Sequence, residues 1–98
     1  MRIAASFFAF GLLAAPPALA QAPDAALLAG SCQGCHGATG EGGHGIPSIK
    51  QQQTRAEFVA AMRAFRANER PSTVMGRITR GYTDAEIAAL AVHFGKPE

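Results

Sequence analysis

Residues 31–37 read SCQGCHG and hold both cysteines of the 98-residue chain. The two thiols stand three positions apart, and a histidine directly follows the second. A disulfide between them would close so short a loop that it would stabilise the fold little. A chain of this length buries a small core and usually needs a disulfide, a metal or a bound group as well. We therefore expect Cys32 and Cys35 to hold a group around which the chain folds.

The first twenty residues have the features of a secretory signal peptide. Arg2 supplies a positive charge, residues 3–15 form an apolar run, and Ala-Leu-Ala at 18–20 is a suitable cleavage sequence. The run is short for a membrane span, although an uncleaved anchor remains an alternative. We expect residues 1–20 to be cleaved off and residues 21–98 to form one domain. That domain would be periplasmic, with no membrane span after processing.

The pattern C-x-x-C-H in an exported protein is the attachment signature of c-type haem. Two thiols one helical turn apart can form thioethers with the two vinyl groups of the porphyrin, and His36 would then lie under the iron. A structural zinc site, with His44 as a further ligand, is an alternative. A thioredoxin-like redox site would need a βαβ setting, and a plain disulfide leaves His36 unexplained. We favour one covalent haem c, attached through Cys32 and Cys35.

Capping boxes mark the starts of two helices. Thr54 and Glu57 open a helix that should run to about residue 68, and Thr83 and Glu86 open one that Gly95 ends. Apolar residues recur at offsets of three and four in both segments, which is typical of helices with one buried face.

Less regular segments join these helices. A helix capped by Asp24 should lead into the cysteines, residues 37–45 are rich in glycine, and residues 72–81 suggest a short helical turn. No stretch alternates like a strand. The sequence predicts a small all-α fold of three main helices, with irregular loops wrapped around one haem.

A low-spin haem iron needs a second axial ligand opposite His36, and four side chains are candidates: His44, Met62, Met75 and His93. Met62 lies on the apolar face of its helix and is better explained as core packing. Met75 lies outside the long helices, and Gly76 beside it would let the backbone approach a ring. Core packing is the alternative for Met75 as well. We favour Met75 as the distal ligand.

Charge gives no indication of nucleic acid binding, because 9 Lys and Arg face 7 Asp and Glu without a basic run. Arg70, Arg77 and Arg80 flank Met75. They could pair with haem propionates or with an acidic partner, or simply form a solvated surface.

The segments CQGCHG and STVMGRITRGYT, followed by an amphipathic helix, resemble the class I cytochromes c. Within that class, the chain is most similar to the cytochrome subunits of flavocytochrome c sulfide dehydrogenase, over nearly all of residues 21–98. The resemblance implies Cys32 and Cys35 as haem attachment points, His36 as the proximal ligand and Met75 as the distal one. The single C-x-x-C-H differs from the longer two-haem members and implies a one-haem subunit.

The resemblance also implies a partner and a role. A flavoprotein subunit would oxidise sulfide, and this chain would accept electrons singly and pass them to another cytochrome or an oxidase. It would thus be a non-catalytic electron-transfer protein. A free soluble electron carrier is the alternative, and a haem sensor with an open iron site is a third possibility.

Overall fold

The computed structural model describes residues 11–14 and 22–98, so most of the predicted signal peptide at residues 1–20 lies outside the described residues. Within those ranges the chain forms four helices and no strands. The helices are α1 (Ala25–His36), α2 (Arg55–Arg66), α3 (Met75–Thr79) and α4 (Asp84–Phe94). The prediction of an all-α fold with three main helices is confirmed. None of the described helices is long and apolar enough to cross a membrane.

The helices begin where their capping residues predict. Thr54 accepts a hydrogen bond from the Glu57 amide at 3.1 Å, and the Glu57 carboxylate accepts one from the Thr54 amide at 2.8 Å. Thr83 and Glu86 form the same reciprocal pair at the start of α4. Each box satisfies amides that the first helical turn leaves without partners. Asp24 caps α1 through the amides of residues 26 and 27.

Some helix ends differ from the prediction. α1 continues through the cysteines to His36, so both thiols lie on the helix itself. α2 ends at Arg66, and Asn68 adopts a left-handed backbone with φ of 58°. Asparagine tolerates this conformation better than most residues, so it suits the chain reversal after the helix.

The core lies where α4 packs against α1 and α2, while α3 packs on α2. The two helices that carry predicted site residues, α1 and α3, do not contact each other. The core contains the stacked rings of Phe58 and Phe94, whose centroids lie 6.1 Å apart. The buried residues of this core are Ala29, Phe58, Met62, Ile87, Leu90, Ala91 and Phe94. Met62 is 6 % exposed, which confirms its assignment to core packing.

The segment after α4 fastens the loop that leads into α2. The Phe94 carbonyl accepts a hydrogen bond from the Gln51 amide at 2.7 Å. The Lys96 amide donates to the Gln53 carbonyl at 2.9 Å, and the Lys96 carbonyl accepts from the Arg55 amide at 3.1 Å. Because these bonds join distant parts of the chain, they fix the end of the loop that follows the C-x-x-C-H motif.

An ion pair joins α2 to the start of α4 and predicts a pH dependence. A hydrogen bond from Arg66 and the charge of Arg63 lower the pKa of Asp84 from its ordinary value of 3.8. A carboxyl with a depressed folded-state pKa stabilises the fold above its unfolded pKa, and this contribution is lost as the pH falls below about 3.8. The melting temperature of the holoprotein should fall between neutral pH and about pH 3, and it should fall less in Asp84→Asn than in the wild type.

Exposure limits the size of that effect, because the Asp84 side chain is 61 % accessible and such pairs contribute little. Glu69→Gln is the matched control, since Glu69 is exposed and forms no ion pair within the described residues. The melting temperature of Glu69→Gln should depend on pH in the same way as that of the wild type. Identical profiles for both variants would contradict a role for Asp84.

Candidate haem site

Cys32 and Cys35 lie one turn apart on α1 and form no disulfide with each other. Cys32 is partly buried and packs against the core, whereas Cys35 is exposed. Burial raises the pKa of the Cys32 thiol. The pair thus presents two thiols at helical spacing, one on the core and one at the surface.

His36 ends α1 and is 7 % exposed. Its Nδ1 lies 2.7 Å from the carbonyl oxygen of Pro47. A histidine that presents Nε2 to iron needs an acceptor for its Nδ1 proton, and the Pro47 carbonyl is in position to be that acceptor. The carbonyl can only accept, so Nδ1 is the donor, and in the neutral imidazole the lone pair then lies on Nε2. Nε2 forms no hydrogen bond with any described residue.

The loop between His36 and α2 folds back so that the Pro47 carbonyl reaches the histidine. The Gly42 amide donates to the His36 carbonyl at 2.6 Å, and the Gly43 and Ile46 backbones pair with each other at 2.9 Å. Further along, the Gly40 carbonyl accepts from the Ile49 amide at 2.8 Å. The imidazole is therefore held at one end by its helix and at Nδ1 by the loop.

Met75 is the first residue of α3, is partly buried, and packs against the same core as Cys32. Its carbonyl accepts a hydrogen bond at 2.7 Å from the hydroxyl of Thr79, which is fully buried. His44 and His93, two other candidate ligands, are exposed. His93 lies edge-on to Phe94, with ring centroids 4.7 Å apart. Of the four candidates, Met75 alone is neither a core residue nor a surface residue.

Comparison with known proteins identifies the family. The family model described as Cytochrome c matches residues 22–93. The chain belongs to the cytochrome c family. The cytochrome subunit of sulfide dehydrogenase from Chlorobaculum tepidum is 43 % identical to this cytochrome over 70 residues, which is 70 % of this chain and 62 % of that protein. The chain thus spans less than two thirds of the length of that relative. The predicted class I cytochrome c, close to such a subunit, is confirmed.

Family membership makes the chain a non-catalytic electron-transfer cytochrome that carries covalently attached haem c. The pair Cys32 and Cys35 fits the C-x-x-C-H pattern. The donor set of this cytochrome also suits the group. His36 keeps its Nε2 free of hydrogen bonds to described residues, and a thioether such as that of Met75 is a soft ligand that haem iron accepts. The roles of the individual residues stay predictions.

The three arginines near Met75 are all exposed. The Arg70 guanidinium lies over the ring of Phe65, 4.7 Å from its centroid, which is a cation–π contact. Arg77 and Arg80 form no ion pair within the described residues. Arg77 and Arg80 are therefore better placed than Arg70 to pair with a haem propionate or an acidic partner.

Two features of the cytochrome's site have no signal in its sequence. The hydroxyls of Ser31 and Tyr82 meet although 51 positions separate them. Thr79 is fully buried, although a threonine in the pattern of residues 72–81 suggests surface as readily as core. Both features depend on how distant segments pack, which the sequence pattern does not show.

A substitution at Gly42 tests the loop that holds the Pro47 carbonyl against His36. A Cβ at Gly42 would lie 2.5 Å from the Ile46 carbonyl oxygen, and its φ of 73° disfavours side chains. Gly42→Ala should destabilise the holoprotein by about 2–5 kcal/mol, from strain of about 1–2 and overpacking of about 1–3. Denaturant unfolding measures this change.

Gly45 provides the matched control for this strain. It has a similar φ of 83°, but a Cβ there would meet nothing within 4 Å. Gly45→Ala should show the backbone cost alone, about 1–2 kcal/mol. Equal losses of unfolding free energy in the two variants would mean that the turn relaxes around the new methyl group, so that the close contact with Ile46 costs nothing.

Proposed function

We propose that this cytochrome is a periplasmic carrier of single electrons whose haem is attached through Cys32 and Cys35 and ligated by His36 and Met75. The observation that carries this proposal is the state of His36. Its ring is buried, its Nδ1 proton is bonded to Pro47, and its Nε2 lone pair has no partner among the described residues. Among the described residues, the Nε of Arg55 is the fully buried side-chain nitrogen without a partner, so the Nε2 of His36 keeps some accessible surface. With Nδ1 bonded to Pro47 and Nε2 accessible and unpartnered, the ring is held in place with one nitrogen open to a metal bond.

The bound haem supplies the one-electron redox chemistry. The chain's residues set the conditions for it. Pro47 fixes the tautomer and orientation of His36 and increases the basicity of Nε2. The thioether of Met75 is a soft donor that favours ferrous over ferric iron, which raises the reduction potential. Occupying the distal position also excludes water and exogenous ligands, so the protein transfers electrons without binding a substrate.

We assign the flavoprotein subunit of a sulfide dehydrogenase as the electron donor, with another cytochrome or an oxidase as acceptor. The relative from Chlorobaculum tepidum supports this assignment, because its name describes a cytochrome subunit of sulfide dehydrogenase. Val74 and Ile78, on either side of Met75, are 51 % and 41 % exposed. Apolar side chains exposed beside a redox centre favour a lasting partner, whereas a wholly charged rim would suit a free carrier.

Purification of the native protein at low salt tests this function. We expect flavin absorption to co-elute with the haem bands at a fixed ratio, and added sulfide to reduce both. Haem bands without flavin, together with no reduction by sulfide, would favour the free carrier. Rapid binding of carbon monoxide to the reduced protein would favour the haem sensor. Absence of haem bands would contradict the assignment of Cys32, Cys35 and His36.

A further inference from the structure

The side chain of Tyr82 connects the segment that follows α3 to α1, and these two helices do not pack against each other. Its ring packs against the core and its hydroxyl meets that of Ser31, the residue before Cys32 on α1. The Ser31 hydroxyl donates its single proton to the Leu28 carbonyl at 2.8 Å. Ser31 must therefore accept from the phenol, so Tyr82 is the donor of this bond.

The backbone of Tyr82 is tied to the segment that carries Met75. Its amide donates to the Thr79 carbonyl at 3.2 Å, and the Thr79 hydroxyl donates to the Met75 carbonyl at 2.7 Å. A third tie comes from α2, since Arg66 donates to the Tyr82 carbonyl at 3.1 Å. A short chain of hydrogen bonds thus runs from Ser31 through Tyr82 and Thr79 to Met75.

This chain of bonds matters because α1 and α3 share no helix–helix contact. The thiols are on α1 and Met75 is on α3, so nothing in direct packing between these helices sets their separation. Other connections pass indirectly through α4 and α2. Among the described residues, the phenol of Tyr82 forms the side-chain hydrogen bond that reaches from residues 75–82 directly to the helix of the C-x-x-C-H motif.

We propose that Tyr82 is a positioning residue that holds the α3 segment at a set distance from α1 through Ser31 and so keeps Met75 in place as the distal ligand. The inference rests on the proposed ligation by Met75. Loss of the bond would let the segment move away from α1. The sulfur would then leave the iron more often, and an exogenous ligand would enter faster.

Imidazole binding to the ferric holoprotein measures how often Met75 leaves, because imidazole needs a vacated distal position. We expect Tyr82→Phe to bind imidazole about three- to tenfold faster, the range that the loss of one hydrogen bond allows. Ser31→Ala should give a similar increase, because it removes the acceptor of the same bond. The double variant should be no faster than either single variant, since the two side chains act through one bond.

Ser48→Ala is the matched control. It removes one hydroxyl hydrogen bond as well, from Ser48 to the Gly40 carbonyl at 3.2 Å, but on the loop that supports His36. Its imidazole rate should equal that of the wild type. If Tyr82→Phe and Ser31→Ala lower the melting temperature yet leave the imidazole rate unchanged, Tyr82 is only structural and the proposal is wrong. Additive effects in the double variant would also contradict it.

Met75→Ala, measured in the same series, separates this inference from the ligand assignment. With Met75 as the ligand, this variant should bind imidazole faster than all the others, since no sulfur has to leave. An unchanged rate in Met75→Ala would overturn the ligand assignment and the positioning role together. A faster rate there, with wild-type rates in Tyr82→Phe and Ser31→Ala, would overturn the positioning role alone.

Discussion

Replacing Met75 with alanine is expected to lower the reduction potential by on the order of 0.1–0.3 V, a part of the roughly 0.8 V range that axial ligands control. The reason is that a thioether stabilises ferrous iron, while the water or hydroxide that would replace it favours the ferric state. The reduced variant should also bind carbon monoxide, which the wild type is expected to resist because the Met75 sulfur would fill the distal position. Redox titration and visible spectra with and without carbon monoxide measure both effects.

Met62 provides the matched control for Met75. It is the other methionine of residues 21–98 and lies in the core at 6 % exposure. Met62→Leu conserves volume, so it should cost less than about 1.5 kcal/mol of stability and leave the potential unchanged. A wild-type potential and no carbon monoxide binding in Met75→Ala would mean that another residue is the distal ligand. A shifted potential in Met62→Leu would point to Met62 itself.

The double variant Cys32→Ala/Cys35→Ala is expected to lose its haem under denaturing conditions. Without thioethers the haem is held by its axial ligands and by packing, which denaturants abolish. The mass of the purified chain should then equal that of the polypeptide alone. We also expect the variant to be largely unfolded when haem is removed, because a domain of this size has too small a core to fold unaided. Mass spectrometry and circular dichroism measure these changes.

Gln33→Ala controls for changes within the same helical turn. Gln33 lies between the cysteines, and its side chain is exposed. This variant should keep covalent haem and the wild-type spectrum. Haem that stays attached to the double variant through denaturation would contradict attachment at Cys32 and Cys35.

The features predicted correctly from sequence depend on residues close together in the chain. Thr54 with Glu57, and Thr83 with Glu86, form capping boxes because each pair needs only three residues of separation. The acceptor for His36 was predictable because a buried ligating imidazole needs one. The following loop is short enough to bring the Pro47 carbonyl back to it.

The features that sequence did not predict depend on packing between distant segments. The bond between Ser31 and Tyr82 spans 51 positions, and no local propensity encodes it. The burial of Thr79 depends on how α3 lies against α2, since its hydroxyl is satisfied within its own helix and needs no water. The same dependence explains the end of α2, where tertiary context outweighs the weak helical preferences of residues 67 and 68.

The packing of α1 against α4 also bears on whether haem attachment precedes or follows folding. The two helices begin 59 positions apart in the chain, at Ala25 and Asp84, and contacts of such long range form late in folding. Until α4 has formed, the thiol of Cys32 lies on an unpacked segment, open to chemistry and free of the burial that raises its pKa. Covalent attachment is therefore easiest while the chain is still unfolded. A ring attached at that stage would give the later helices an apolar surface on which to pack.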